Sequence, residues 1–468
     1  MANISVLRDA SDLPDTVPPA PRSQRSRSAK AIPHRIVIVG GGAGGIELAT
    51  RLGDRMTQGR RVHVVLVDKS ATHLWKPLLH EIAAGTLDAN IQQLDYIAQA
   101  RWHHFEFQQG ELVGLDRKHK TITVASVQDA DLVEILPARY IAYDTLVLAI
   151  GSVTNFFHVP GAAEHAIALD NVRQAEQFRR RLIAACMRTQ HHLNHHRDHE
   201  RPRVDIVIIG AGATGVELAA ELRGTAEVLG AYGLHDLDPH RDIHITLIET
   251  GPRILGPLPE KIATETTQVL GELGIDILTS EKVTHVHEHA VLTESGKILP
   301  SDLTVWTGGI KVAKILADLG LPVNKLGQVR VGPTLQLEAD PDIFALGDCA
   351  ECAWPETGKT VPPRAQAAHQ QARHLYRALS LHIAGRALPS FSYRDHGSLV
   401  SLGRFNAVGN LMGKLAGRSL MVEGLLARWL YAALYRMHLV ALHGIVKAIL
   451  TTVAQWLQRK TRPRIKLH

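Results

Sequence analysis

Two glycine-rich segments, about 170 residues apart, have the residue types and the spacing that bind the pyrophosphate of a dinucleotide. The first reads RIVIVGGGAGGIELA and the second VDIVIIGAGATGVELAAEL, so each follows a β-branched run and opens a helical pattern. In G-x-G-x-x-G spacing the first glycine permits a tight turn, the second admits the pyrophosphate and the third lets helix pack on strand. The glycines at these positions are Gly40, Gly42 and Gly45, then Gly210, Gly212 and Gly215. Two such sites in one chain suit electron transfer between nucleotides.

An acidic residue closes the next apolar strand after each fingerprint: VHVVLVD ends at Asp68 and IHITLIE ends at Glu249. The segment LGDCAEC at 346–352 resembles the second flavin signature of flavoproteins with two dinucleotide-binding domains, where the aspartate, here Asp348, hydrogen-bonds the ribityl chain. Because this segment returns to the first domain, the first fingerprint and Asp68 are predicted to hold FAD. Glu249 then faces the adenosine ribose of a nicotinamide nucleotide, and its charge favours NADH over NADPH.

The elements that position these residues predict an α/β protein with two Rossmann-like domains and a C-terminal helical segment. At 468 residues the chain is too long for one core. The strands TLVLAIGS (145–152) and LTVWTGGI (303–310) mark where it leaves and rejoins the first domain. We expect a disordered tail at 1–32, an FAD domain at 33–160 and 305–390, an NADH domain at 161–304 and a membrane-anchoring segment at 391–468.

Composition narrows the function classes. The net charge of +6 is spread along the chain without a groove-reading motif, which argues against nucleic-acid binding. Three cysteines provide no disulfide framework. The tail lacks the apolar core of a secretory signal, and its acidic residues argue against a transit peptide. The His-rich stretch at 191–199 could suggest metal binding, but we interpret it as a solvated polar loop and assign no metal site.

The C-terminal stretch at 425–460 is apolar with a basic stripe. Arg436 and Lys447 interrupt it, which argues against a membrane-spanning helix. On a continuous helix Arg428, Arg436, His443 and Lys447 share one narrow face, as in a helix that lies in the membrane interface. A core or dimer-packing helix is the alternative. The cationic end favours anionic lipid; it comprises Arg459, Lys460, Arg462, Arg464 and Lys466.

The segment VPPRAQAAHQQARHLYRALS predicts a helix opened by its tandem prolines. Gln366 and Gln370 lie on one face of it and suit hydrogen bonding to a carbonyl, such as that of a quinone or of the flavin. Gln370 and Gln371 could instead lie on the surface. Glu217, in the first turn of the second fingerprint helix, either interacts with the helix dipole or projects towards the flavin–nicotinamide contact.

Across residues 33–460 the chain resembles the type II NADH:quinone oxidoreductases, most closely the bacterial form. The motifs that carry the resemblance are GGGAGG, HLWKPLLHEIAAGTLD (73–88), AIGSVTN (149–155), GAGATGVELAAEL, VWTGGIK (305–311), GDCA, PPRAQAAHQQA and GSLVSLGRF. The resemblance implies a glutathione-reductase-like flavoprotein with non-covalent FAD, NADH as donor and a membrane quinone, ubiquinone or menaquinone, as acceptor. It also implies a peripheral enzyme, without proton pumping, on the cytoplasmic face of the inner (plasma) membrane.

The resemblance further implies which residues form the sites. Glu217 and Gln366 correspond to the catalytic glutamate and glutamine, and Gln366, Gln370 and His396 to the quinone site. For FAD it implies Gly40, Gly42, Ala43, Gly44, Gly45, Asp68, Lys69, Lys76, Pro77, Leu78, Val113, Gly151, Asp348, Ala365 and Gln366. For NADH it implies Gly210, Gly212, Thr214, Gly215, Glu217, Glu249, Gly308 and Gly309. Where some relatives carry a lysine before GSLVS, this chain reads Arg394-Asp395-His396.

Three other functions remain open. A sulfide:quinone oxidoreductase needs two redox cysteines at the flavin, and Cys349 and Cys352 are the nearest pair, although Cys349 is expected to pack beside FAD. A disulfide reductase is disfavoured because the first domain has no cysteine after its fingerprint. A non-catalytic sensor of flavin or NADH belongs to a different class. Homodimer assembly through the C-terminal segment is also left open.

Overall fold

The first fingerprint strand lies inside a six-stranded sheet. The computed structural model describes residues 32–57, 62–195, 201–231, 234, 236–402, 406–411 and 420–461, so the tail expected at 1–32 lies outside it apart from Ile32. The strands of this sheet are, in spatial order, Gln336–Leu337, Asp340–Ala345, Thr145–Leu148, His34–Val39, Val62–Asp68 and Glu106–Gln109. All pair in parallel except Gln336–Leu337, and the central strands are buried on both faces.

The second fingerprint strand lies inside a separate five-stranded sheet. In spatial order its strands are Ala166–Ala168, Leu303–Trp306, Val204–Ile209, Ile243–Ile248 and Ile275–Leu278. Every pairing in it is parallel. Two parallel sheets, each with a fingerprint strand followed by a helix, confirm the predicted α/β class with two Rossmann-like folds.

Helices and small antiparallel sheets complete the molecule. The helices are Ala43–Met56, Leu79–Ala84, Ala89–Gln92, Tyr96–Trp102, Ala162–His165, Val172–His195, Ala213–Ala231, Glu260–Glu272, Ile315–Asp318, Ala365–Ile383 and Gly424–Thr461. The three-stranded sheets comprise Leu112–Asp116, Thr121–Val124 and Arg139–Ala142; Val283–Val286, Ala290–Thr293 and Ile298–Pro300; and Gly397–Leu402, Asn406–Leu411 and Leu420–Glu423.

Both crossover strands are shorter than their apolar runs predict. The first ends at Leu148 and the second at Trp306, before their glycines. The chain turns away there because the fingerprint loop needs the space: a Cβ on Gly40 would lie 2.3 Å from the carbonyl oxygen of Ala149. Gly151 and Gly309 make the turns with φ of +71°, a conformation that favours glycine.

The His-rich stretch is not a loop over its first five residues. His191, His192 and His195 lie in the last turns of helix Val172–His195, and residues 196–200 lie outside the described ranges. The helix continues through the histidines because it is anchored further back by buried Phe178, Leu182 and Cys186. The polar composition of residues 191–195 therefore belongs to the exposed end of a helix and not to a loop.

The C-terminal helix, Gly424–Thr461, is broken at Gly444, where φ is 76° and ψ is 170°. Arg436 and Lys447 lie on opposite sides of this break, so the single basic stripe predicted for a continuous helix does not hold. In the sequence, Arg436 and Lys447 argue against a membrane-spanning helix. By length and composition alone, however, Tyr435–Gln455 could cross a membrane, so these two charges do not exclude one. The predicted basic end from 462 lies outside the described residues.

Candidate functional site

The first fingerprint loop is packed tightly at two glycines and open at the third. A Cβ on Gly45 would lie 1.9 Å from the carbonyl oxygen of Gly40, whereas a Cβ on Gly42 would meet no atom within 4 Å. Gly42 is also the N-cap of helix Ala43–Met56 and provides no side-chain hydrogen bond to its first turn. The N–H groups at this helix end therefore face open space, which suits an anionic group.

The second fingerprint loop repeats this geometry. A Cβ on Gly215 would lie 2.0 Å from the carbonyl oxygen of Gly210, and a Cβ on Gly212 would again meet nothing within 4 Å. Gly210 has φ of +103° against +105° at Gly40. Thr214, in the first turn of helix Ala213–Ala231, is exposed beside the same open space. Both loops thus have the cradle that a pyrophosphate requires.

Asp68 and Glu249 hold their loops in the same way. Asp68 accepts hydrogen bonds from the N–H groups of Gly41 (2.6 Å) and Ser70 (2.7 Å). Glu249 accepts from Ala211 (2.9 Å) and Gly251 (2.8 Å). Burial raises the pKa of Asp68, and the two amide N–H groups oppose that shift. Each carboxylate lies at the carboxyl end of its strand, where it could accept a hydrogen bond from the ribose of a nucleotide.

Lys76, Ser152 and Asp348 converge although they come from three distant segments. The Ser152 hydroxyl donates to the Asp348 carboxylate at 2.6 Å, and the Lys76 ammonium donates to the Ser152 carbonyl at 2.9 Å. Gln328 donates to the Asp348 carbonyl at 2.9 Å. Ser152 therefore links the two predicted FAD residues Lys76 and Asp348, and Gln328 supports Asp348; neither Ser152 nor Gln328 was predicted from the sequence.

The remaining predicted FAD residues differ in exposure. Ala43 and Gly44 lie in the first fingerprint helix, and Pro77 and Leu78 lie in the short 3₁₀ helix Lys76–Leu78. Lys69 is exposed and lies 3.7 Å from the Glu111 carboxylate, and Val113 is 48% exposed. Val113 lies in a three-stranded sheet and Lys69 directly after strand Val62–Asp68, and among the described contacts neither residue bonds to Asp348.

The helix of the two predicted quinone glutamines, Ala365–Ile383, starts later than its prolines predict. Arg364 is its N-cap, so Pro362 and Pro363 precede the helix and Ala365 begins it. The residue before a proline is disfavoured in helical conformation, which accounts for the delayed start after Pro362. The hydrogen bonds of Gln366 and Gln370 both go to one segment, 394–397.

Gln366 and Gln370 clamp that segment to the helix. The Gln366 amide donates to the Asp395 carboxylate (3.1 Å) and the Gly397 carbonyl (2.9 Å), and its oxygen accepts from the His396 N–H (3.1 Å). Gln370 donates to the Arg394 carbonyl (2.8 Å) and accepts from the Arg394 N–H (3.0 Å). The predicted quinone residues are therefore together, with the His396 side chain exposed at the surface.

Gln371 and the two cysteines are core residues. Gln371 is 1% exposed and its side-chain oxygen accepts from the Gly347 N–H at 2.7 Å, so the surface interpretation of Gln371 is wrong. Cys349 and Cys352 are free and buried, and burial raises their pKa values to about 12 and about 11. A protonated, buried thiol is a poor nucleophile, which argues against a redox role for this pair.

Glu217 projects inward from the second fingerprint helix. It is 6% exposed, accepts from the Ser401 N–H at 3.0 Å and has a carboxylate oxygen 3.5 Å from the Nδ1 atom of His80. A role limited to the helix dipole does not account for these contacts. Burial lowers the pKa of His80 to about 4, and among the described residues its Nε2 atom has no hydrogen-bond partner.

His80 was missed because nothing in its local sequence points to Glu217, which is 137 positions away. The strand Gly397–Leu402 connects the two catalytic candidates, since Gln366 bonds Gly397 and Glu217 bonds Ser401. These contact points lie four residues apart, or about 13 Å along the strand. Glu217 and Gln366 therefore border one strand without meeting directly.

The chain is similar to known flavin- and nicotinamide-dependent oxidoreductases over most of its length. Residues 34–372 match the family model described as pyridine nucleotide-disulphide oxidoreductase. The curated type II NADH:quinone oxidoreductase of Haemophilus influenzae is 41% identical over 445 residues, which cover 92% of this chain and 99% of that protein. The chain belongs to the type II NADH:quinone oxidoreductases. The demethylphylloquinone reductase NdbB of Synechocystis is 31% identical over an alignment that spans 82% of this chain and 88% of NdbB.

Solved structures agree in fold. NDH2 from Plasmodium falciparum, in complex with NADH, matches with a TM-score of 0.76 at 19% identity, over 92% of this chain and all of that one. The sulfide:quinone oxidoreductase of Aquifex aeolicus matches with a TM-score of 0.67 at 18% identity, over 88% and 92%. At such identities these matches show the fold alone, so they do not distinguish NADH oxidation from sulfide oxidation. The family membership and the burial of Cys349 and Cys352 favour NADH oxidation.

Proposed function

We propose that this chain oxidises NADH and reduces a membrane quinone, with FAD held by the first fingerprint and NADH by the second. The observation that carries the proposal is the pair of matching loops, each with an open glycine at a helix end and a carboxylate beside it. FAD bound at the first loop would supply a group that accepts hydride from NADH and gives up two electrons. The protein supplies binding, orientation and proton handling.

The FAD assignment rests on residues suited to each part of that molecule. The open helix end at Gly42 and Ala43, with Gly44 packed behind it, suits its pyrophosphate, and Asp68 suits its adenosine ribose. The linked trio of Lys76, Ser152 and Asp348 offers both a cation and acceptors for the ribityl hydroxyls. Gly151 and Ala365 lie next to this trio and to Gln366 in sequence, where backbone can approach a flavin ring.

The NADH assignment rests on the second loop. Gly212, Thr214 and the helix end behind them suit the pyrophosphate, and Glu249 suits the ribose 2′-hydroxyl. Gly308 lies beside Gly210 where the chain leaves the sheet, and Gly309 packs against the ring of Phe157, so the backbone here is open to a nicotinamide only on the side away from that ring. Glu249 is a carboxylate where NADPH would bring a phosphate, which supports NADH as the donor.

Glu217 and the clamp of Gln366 and Gln370 are proposed to serve the quinone half of the reaction. Quinone reduction consumes two protons, and Glu217 can hold one at a carboxylate oxygen beside His80. The clamp orders residues 394–397, and both N–H donors of Gln366 are used within it, so the exposed His396 is the side chain of this group that could donate to a quinone carbonyl. Gln366 therefore acts with its bonded segment and not as an isolated amide.

Attachment to the cytoplasmic face of the inner (plasma) membrane is proposed through the segment 425–468. Exposed apolar side chains support it, because the C-terminal helix carries Val446, Ile449, Leu450 and Val453 with 49–72% of each exposed. Their spacing of three, one and three residues puts them on one face of the helix. An apolar face of this kind is stabilised by contact with lipid.

Stopped-flow absorbance of the purified, FAD-loaded protein tests the proposed reaction. We expect anaerobic NADH to bleach the flavin rapidly, NADPH to do so far more slowly, and a short-chain quinone to restore the colour. Sulfide should cause no bleaching, because Cys349 and Cys352 are buried and protonated. Bleaching by sulfide would instead support a sulfide:quinone oxidoreductase, and no bleaching by any donor would support a nucleotide-binding sensor.

A further inference from the structure

A pocket of about 440 Å³ lies on the side of the molecule that carries the C-terminal helix, Gly424–Thr461. Its walls come from the first fingerprint helix, from helix Ala365–Ile383 and from the C-terminal helix, which contribute Arg51, Arg373 and Arg436 respectively. Arg51 is nine residues beyond Gly42, or about 13 Å along its helix, and Arg373 is seven beyond Gln366, or about 10 Å. The pocket is therefore set apart from the open glycines and from the glutamine clamp.

The pocket has an excess of positive charge. Arg51 and Arg373 share one carboxylate, Glu47, with Nε–oxygen distances of 2.8 and 3.3 Å. Glu47 is fully buried, and contacts with His369 and Arg51 keep its pKa below its ordinary value against the effect of burial. Within the part of the chain that the structure describes, Arg436 has no hydrogen-bond or ion-pair partner. Three arginines therefore line the pocket, and Glu47, which pairs with two of them, is buried and is not among its lining residues.

Apart from Arg436, the side chains that the C-terminal helix contributes to the pocket are apolar. Met437 and Val440 line the pocket and are 57% and 37% exposed. Beyond the break at Gly444, the same C-terminal segment carries a second group of exposed apolar side chains, Val446, Ile449 and Leu450. A pocket lined by both guanidinium groups and exposed apolar side chains matches a molecule with an anionic head and hydrocarbon chains.

We propose that this pocket binds the headgroup of an anionic phospholipid, with the phosphate between Arg51, Arg373 and Arg436 and the acyl chains along the C-terminal helix. Guanidinium groups bind phosphate oxygens through paired N–H donors. Phosphatidylcholine carries a trimethylammonium cation beside its phosphate, and three arginines would repel that cation. The proposal rests on the membrane attachment put forward above, and it names the lipid class and the residues that select it.

Calorimetric titration of the full-length, FAD-loaded protein tests this site without a membrane. The probes are dihexanoyl phosphatidylglycerol below its micellar concentration, the matching phosphatidylcholine, and inorganic phosphate. We expect saturable binding of phosphatidylglycerol alone, and about a 10-fold loss of its affinity in Arg436→Gln. Lys447→Gln is the matched control, because it removes the same charge from the same helix outside the pocket, and its affinity should stay within about twofold of wild type.

Arg373→Gln provides a second variant on a different helix and should weaken binding similarly. Equal binding of phosphatidylcholine, equally tight binding of inorganic phosphate, or the same loss in Lys447→Gln as in Arg436→Gln would overturn the headgroup site. NADH oxidation by a water-soluble quinone is measured on the same samples. If headgroup binding is absent while this activity is intact, only the headgroup proposal fails; if wild type lacks the activity, the proposed function fails.

Discussion

At the scale of single residues, the two open glycines provide the most direct test of which loop holds which nucleotide. A methyl group at Gly42 or Gly212 meets no protein atom within 4 Å, so either alanine variant should fold normally. Gly212→Ala should raise the KM for NADH by about 10-fold with full flavin content, because the methyl group obstructs pyrophosphate. Gly42→Ala should lower flavin content instead. Flavin loss from Gly212→Ala, measured by absorbance, would reverse the assignment.

Glu249 is expected to set nucleotide preference. Glu249→Gln removes the negative charge that opposes a 2′-phosphate, while its amide oxygen can still accept from the Ala211 N–H. The ratio of kcat/KM for NADH to that for NADPH should fall by about 10-fold, equivalent to about 1.4 kcal/mol. Glu272→Gln, at an exposed position on helix Glu260–Glu272, serves as the control and should leave the ratio unchanged. An unaltered ratio in Glu249→Gln would show that other groups set the preference.

Glu217 is expected to matter for quinone turnover and not for hydride transfer. Glu217→Gln keeps an oxygen that can accept from the Ser401 N–H, but it cannot hold a proton to deliver. Quinone-dependent kcat should fall by about 100-fold, while NADH:ferricyanide activity is retained. Glu221→Gln, one turn further along the same helix and also buried, is the matched control. Wild-type quinone kinetics in Glu217→Gln would refute the proton-handling role.

At the scale of elements, a contact between histidines secures the C-terminal helix to the first fingerprint loop. His73 Nδ1 lies 3.0 Å from the Gly41 carbonyl oxygen, and its Nε2 lies 2.9 Å from Nε2 of His438 on that helix. The rings of Trp75 and His369 pack on His438. Burial lowers the pKa of His73 to about 4 and that of His438 well below its ordinary value, so both are neutral in the folded protein.

This burial predicts acid sensitivity of folding. In the unfolded chain His73 is protonated below about pH 6.5, whereas in the folded protein it stays neutral down to about pH 4. The unfolded state therefore binds more protons between these two values, and the free energy of unfolding should fall as the pH drops from 6.5 to 4. The slope per histidine is at most about 1.4 kcal/mol per pH unit. The melting temperature of His73→Asn, which can still donate to Gly41, should fall less between pH 6.5 and 5.5. His289→Asn, at an exposed position, should behave as wild type; equal slopes in all three proteins would contradict the prediction.

At the scale of the whole molecule, the exposed apolar face of the C-terminal helix should determine membrane binding. Val446 and Leu450 are 72% and 64% exposed, so Val446→Glu with Leu450→Glu should fold with an unchanged melting temperature. Partitioning onto phosphatidylglycerol-containing vesicles should decrease by at least about 10-fold, because carboxylates are excluded from the acyl region. Ile298→Glu, an equally exposed apolar position on strand Ile298–Pro300, is the control. Unchanged sedimentation of the double variant with vesicles would remove the anchor proposal.

The sequence by itself determined the two Rossmann-like folds, their order and the family. Glycine spacing, β-branched strands and terminal carboxylates act over a few residues, so Gly40 to Asp68 and Gly210 to Glu249 could be read directly. The same local logic identified Gln366 and Gln370 as neighbours on one helix face. The helical pattern could not identify the segment that they bind, 394–397. A helical period shows which side chains lie on one face, but not which other segment packs against that face.

Only the tertiary structure decided the contacts between segments far apart in the chain. His73 meets His438 across 365 positions, and Glu217 meets Ser401 across 184, so no local pattern encodes either pair. The structure also buried Gln371, Cys349 and Cys352, which polarity and spacing alone left ambiguous. It broke the C-terminal helix at Gly444 and brought Arg436 into one pocket with Arg51 and Arg373. Side-chain environment depends on which distant elements pack together, and packing is a property of the whole fold.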